Sequence, residues 1–233
     1  MNLKVVVSCL ISALIFTSAV FAQNQDTLKA DIYSKISDRR CPTMTLDKCN
    51  CPEAQLMKAY IDAFLETGAS KEDIFYRVAR KYSLKTITDG PTRALVEKRL
   101  EQETGGKYSR AVIEPSVLDF GKVSKKKGKI SLVSKVYNKG SSDLVISNIR
   151  VSCGCVSASL KIGKDKSPYF GVAGALSGWQ AKIAPGKYAA LEVVLDLNHS
   201  SMGIGKQTRE IFVSSNDPFE PETTVKAAIE VKE

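Results

Sequence analysis

Residues 129–155 read KISLVSKVYNKGSSDLVISNIRVSCGC, and this stretch decides the fold of the larger part of the chain. Apolar residues recur with a period of two, which is the spacing of a half-buried strand. Asn138-Lys139-Gly140 breaks the pattern as a turn would. The stretch therefore predicts strands over 129–137 and 144–153. The same period starts at Val112 and continues after Cys155. Further strands are expected over 116–123, 189–197, 207–214 and 223–231. Pro185-Gly186 and Asn216-Asp217-Pro218 supply turn signals between them. About seven short strands in this space predict an antiparallel β-sandwich over 112–233. The segment 161–182 carries Gly163, Pro168, Gly171, Gly174 and Gly178, and is expected to hold one irregular edge strand in a long loop.

Upstream the period changes. Met57, Tyr60, Ile61, Phe64 and Leu65 recur at helical steps after a first-turn proline, Pro52. Gly68 suits the helix end. Ile74, Phe75, Val78, Ala79 and Tyr82 form a second stripe, opened by Ser70 with Asp73. A third helix is expected from Pro91 to Glu103. Residues 31–104 thus read as a small three-helix bundle, with 105–111 as the linker. The predicted fold class is α+β multidomain: a helical bundle followed by the sandwich.

The first 22 residues read as an export signal. Lys4 precedes an apolar run from Val5 to Phe21, and Val20-Phe21-Ala22 is an acceptable cleavage site. Membrane association is expected only if this run stays uncleaved. The expected location is the periplasm or cell envelope, or outside the cell. Export argues against a nucleic-acid partner, although the formal charge is +9.

Export also gives the cysteines their importance. Three follow the signal as Cys41-Pro-Thr-Met-Thr-Leu-Asp-Lys-Cys49-Asn-Cys51, and two more form Cys153-Gly-Cys155. Five is an odd number, so at least one is free, metal-bound or joined to another chain. Cys51 precedes a helix N-terminus, where the dipole and unpaired amides lower a thiol pKa. That makes Cys51 the candidate attacking thiolate, with Cys41 or Cys49 resolving it. A structural bridge and a soft-metal site with Met44 as a thioether ligand stay open for the same trio. Ile149, Val151, Cys153 and Cys155 share one parity, so a continuous strand would place them on one face. Residues two apart on a strand lie roughly 6.6 Å apart, at the edge of the about 4.4–6.8 Å a disulfide tolerates. Core packing, a structural bridge, a reducible bridge suited to thiol exchange, or Cu(I) or Zn(II) ligation by Cys153 and Cys155 are the open readings. No other cofactor is indicated. His199 is the only histidine and falls in a predicted turn, where it is expected to be solvated. The chain has no Ser–His–acid set, nucleophile elbow or phosphate loop, so it reads as non-hydrolytic.

Two resemblances add to this reading. Phe120-Gly121-Lys122-Val123, Val136-Tyr137-Asn138-Lys139-Gly140, Val151-Ser152-Cys153-Gly154-Cys155, Ile183-Ala184-Pro185-Gly186 and Val213-Ser214-Ser215-Asn216-Asp217-Pro218 stand in order. Together they resemble a bacterial family of immunoglobulin-like domains of unassigned function. That implies an immunoglobulin-like sandwich similar to PapD-like and sperm-protein-like domains, and no reaction. Arg40-Cys41-Pro42, Leu65–Ile74 and Val78–Tyr82 resemble the cytochrome c maturation protein H (CcmH/NrfF) family. Met44 stands where that family has its second motif cysteine. This second resemblance implies thiol handling, with thiols of an exported protein, such as an apocytochrome, as substrate. Three functions follow as expectations: an envelope thiol-handling accessory, a binding protein with structural cysteines, and a copper or zinc carrier.

Overall fold

The computed structural model describes residues 25–38 and 40–233; the expected signal peptide, 1–22, lies outside them. The chain separates into two compact units. One comprises residues up to Ala79 with Leu84–Glu97, and the other Arg80–Ser83 with Lys98–Glu233.

Four α-helices occur among the described residues: α1 (25–33), α2 (Pro52–Glu66), α3 (Lys71–Lys81) and α4 (Gly90–Glu103). The three-helix expectation is corrected by α1, which precedes the expected start of the bundle and contributes the buried Ile32 and Tyr33. The first helical unit is built on side chains such as Ile32, Met57, Ile61, Ile74 and Phe75, each at most 1% exposed. The segment between α1 and α2 is irregular but tied down. Ile36 bridges Ile87, Ser37 bridges Thr45, and the Leu46 amide donates to the Ile36 carbonyl at 2.8 Å. Leu46 itself is fully buried. The segment that carries the first three cysteines is therefore fastened at both ends.

The second unit contains ten strands in two five-stranded sheets. The first sheet runs β1 (Ala111–Glu114), β3 (Lys129–Asn138), β8 (Tyr188–Asp196), β5 (Val156–Ile162), β6 (Asp165–Lys166). The second runs β2 (Val117–Ser124), β10 (Glu222–Lys232), β9 (Gly205–Ser215), β4 (Leu144–Val151), β7 (Ala181–Ile183). All neighbours are antiparallel except β2 and β10, which run parallel. Alternate residues of both sheets, including Val136, Leu191 and Val193 from the first and Ile146, Ile211 and Val225 from the second, form one apolar core. This is an immunoglobulin-like β-sandwich.

Asn138 holds the turn that the sequence marks. Its side-chain amide donates to the Ser142 and Ile183 carbonyls at 2.7 and 2.8 Å, and its oxygen accepts the Gly140 amide at 2.9 Å. The strand expected over 144–153 stops at Val151. Residues 152–155 form the corner through which the chain passes from β4 in the second sheet to β5 in the first. Parity therefore does not carry to the cysteines, because no continuous strand runs through them.

Candidate functional sites

Cys41, Cys49 and Cys51 are free and lie together. Cys51 is the N-cap of α2. Its backbone is extended, its sulfur accepts the Ala54 amide at 3.4 Å, and Pro52 opens the helix. The Cys49 sulfur lies 3.4 Å from that of Cys51. Cys49 is held there by the hydrogen bond its amide donates to the Thr45 carbonyl, while Lys58 donates to the Cys49 carbonyl at 2.8 Å. Asp38, fully buried, completes the group. One carboxylate oxygen accepts a hydrogen bond from the Cys51 thiol at 2.9 Å, and the other accepts the Arg40 amide at 3.0 Å. One donor atom from each of Asp38, Cys41, Cys49 and Cys51 lies within 4.8 Å of all the others.

Electrostatics within this group reverse one expectation. The Ala54 amide does lower the Cys51 pKa, but the Asp38 carboxylate outweighs it and pushes the thiol up to about 11. The carboxylate thereby disfavours the Cys51 thiolate, the reverse of the lowering expected at a helix N-terminus. Cys49 is the thiol shifted down, first by the Cys51 backbone amide and then by the Cys51 side chain. Cys41 is shifted up, chiefly by its hydrogen bond with Cys49. Met44 is 43% exposed.

Cys153 and Cys155 form a disulfide with Cα atoms 5.4 Å apart. The tight corner brings them closer than an extended strand would. Bridged sulfurs offer no thiolate, so in this state the pair does not form the metal site the sequence left open. Cys155 is 1% exposed and Cys153 half-buried. The loop closed by the bridge is three residues long, for which chain entropy supplies only about 1.6 kcal/mol. Backbone contacts hold the corner as well. The Ser152 amide donates to the Glu210 carbonyl, the Glu210 amide to the Ser152 hydroxyl, and the Asp196 amide to the Cys155 carbonyl, all at 2.9–3.0 Å.

Two residues meet this bridge without any signal in the sequence. Arg209, on β9, points its Nε–H at the Cys155 sulfur at 3.2 Å and is fixed by the Ser201 carbonyl at 3.0 Å. His199 lies in the expected turn and is half-buried rather than fully solvated. Its ring lies against Gly154, so close that a Cβ there would sit 2.9 Å from Nε2. Its Nδ1 accepts the Ser201 amide at 3.2 Å.

Comparison with known proteins follows the same division. Residues 112–168 match a family described as a protein of unknown function, DUF1573. No curated protein matches the chain. Among solved structures, a protein of unknown function from Porphyromonas gingivalis W83 is similar at 18% identity and a TM-score of 0.40, over 52% of this chain and 46% of its own. The chaperone–tip adhesin complex CsuC–CsuE from Acinetobacter baumannii is similar at 18% identity and a TM-score of 0.31, over 53% and 52%. A PapD-like domain of human CEP192 is similar at 12% identity and a TM-score of 0.34, over 54% and 87%. The chain spans about half the length of the first structures it matches. The sandwich assignment rests on the strand order rather than on these likenesses, and the match to a family of unassigned function covers residues 112–168 alone.

Proposed function

We propose that this is an exported, non-hydrolytic binding protein of the cell envelope, with a helical unit closed by one zinc ion and a sandwich that engages a partner protein. The observation that carries the zinc reading is the convergence of Asp38, Cys41, Cys49 and Cys51 within 4.8 Å. Three sulfurs and one oxygen suit tetrahedral Zn(II). Cu(I) prefers soft sulfur donors throughout, so the buried carboxylate oxygen favours zinc. The thiol proton that Cys51 shares in its hydrogen bond to Asp38 is the one a cation would displace. Four protein donors leave no open position, which is the pattern of a structural rather than a catalytic site. The segment 171–180 exposes Val172 and Leu176 on the sandwich and offers apolar surface to a partner.

The test is metal content of the mature chain purified under reduction. One zinc per chain is expected by native mass spectrometry. Cobalt should replace it with the intense visible bands of a tetrahedral thiolate site. Asp38→Ala should weaken binding by at least about tenfold. A reduced protein that takes up no zinc at micromolar concentration overturns this reading.

A second reading has its own support. Cys49 is the lowered thiol, and Cys51 and Cys41 lie within bridging reach of it. A metal-free protein in which Cys49 is the thiol alkylated fastest would support thiol exchange on exported proteins. The resemblance to the cytochrome c maturation family would then supply the substrate class.

A further inference from the structure

We infer that the Cys153–Cys155 bridge is a redox-active pair that exchanges with dithiols of exported proteins, with Arg209 holding the departing Cys155 thiolate. This goes beyond the zinc reading and concerns a different site. A bridge that closes so short a loop constrains the unfolded chain little. The corner is already held by the Ser152, Glu210 and Asp196 hydrogen bonds, so the strands can stay in place when the bridge opens. Both facts make the bridge expendable as a staple.

The two sulfurs are unequal. Cys153 faces a surface depression lined by Ser152, Thr208, Arg209, Glu210 and Lys226. Cys155 is buried, with the Arg209 Nε–H on its sulfur. An incoming thiolate reaches Cys153 through this depression, whose Lys226 and Arg209 favour an anion. The substrate sulfur bonds to Cys153 Sγ, and the bond from Cys153 Sγ to Cys155 Sγ breaks. Cys155 leaves as a thiolate whose charge falls on the Arg209 guanidinium; leaving ability rises as the thiol pKa falls. The second substrate thiolate then attacks the substrate sulfur of the mixed disulfide and releases Cys153. The substrate dithiol loses two electrons and two protons and becomes a disulfide. Cys153 and Cys155 become the dithiol. A disulfide of the glutathione class reverses that change and restores the bridge.

The test uses the full mature chain, equilibrated across a glutathione series, alkylated, and mapped at 153–155 by mass spectrometry. The bridge should open reversibly within the series. Arg209→Met should raise the glutathione ratio at half-opening by at least about tenfold, and slow reduction by a bis-cysteine peptide by a similar factor. Arg209→Lys should restore part of both. Trp179 fluorescence in thermal melts checks that the sandwich is intact in each variant. As a second, independent measure, Cys155→Ser should trap the oxidised peptide on Cys153, and Cys153→Ser should trap none. A bridge that stays closed at the highest ratio of reduced glutathione overturns the proposal. So does an intact Arg209→Met protein with unchanged midpoint and rate, or equal trapping by the two serine variants. None of these readouts depends on metal uptake at Asp38.

Discussion

Asp38 and Arg209 show what a single residue contributes when sulfur is its neighbour. Asp38 makes a helix-capping thiol a weaker acid, whereas Arg209 sets a guanidinium N–H on the sulfur it meets. Neither was legible in the sequence. An aspartate thirteen positions from Cys51 and an arginine fifty-four from Cys155 look like any surface charge until the fold joins them. The cysteines themselves were legible, because closely spaced thiols have few roles. Gly140 belongs to the same scale. A Cβ there would lie 2.2 Å from the Tyr108 carbonyl oxygen and 2.6 Å from the Arg110 nitrogen, both rigid backbone. Gly140→Ala is therefore expected to destabilise the sandwich by about 3 kcal/mol, measured by denaturant unfolding. Asp217 gives a pH signature. Burial raises its carboxyl pKa, against the pull of the Ala111 and Phe219 amides and of Arg110. A raised folded-state pKa means that the folded protein binds the proton more tightly than the unfolded chain. Its contribution is greatest below the unfolded value of about 3.9 and is lost as pH rises through the folded value. Lowering the pH from neutral should therefore add stability through this group, and thermal melts of Asp217→Asn should lack that gain.

Among the elements, the six long strands announced by their alternation are present, with ends displaced by one or two residues. The strand β5 was missed because its period is written in small residues. Val156, Ala158 and Leu160 are buried in alternation, but Ser157 and Ser159 between them blur the contrast, and Ser159 is buried too. The three-residue β7 and two-residue β6 are too short for periodicity to register. Helix α1 was missed because a single turn, Ile32 and Tyr33, carries its burial. Helix α2 offers a separation of roles at Cys51, which is both its N-cap and a grouped donor. Serine caps helices well. Cys51→Ser should therefore keep the ellipticity at 222 nm while zinc affinity falls by at least about tenfold. Loss of helix in that variant under zinc-free conditions would mean that the thiol does more for the helix than cap it.

For the whole molecule, the two units give separable signals. The single tryptophan, Trp179, packs edge-on against Phe170 in the sandwich, 4.7 Å between ring centres. Chelation of a bound zinc should reduce the helical signal and leave Trp179 emission unchanged. Coincident loss of both would show one cooperative unit rather than two. The parallel pairing of β2 with β10 carries a consequence of another kind. Residues 117–124 find their only ladder partner about a hundred positions further along the chain. Loop-closure entropy makes such a contact slow to form. The second sheet cannot close until residues 222–232 have been synthesised, so β2 waits without its ladder partner while the strands between them are made.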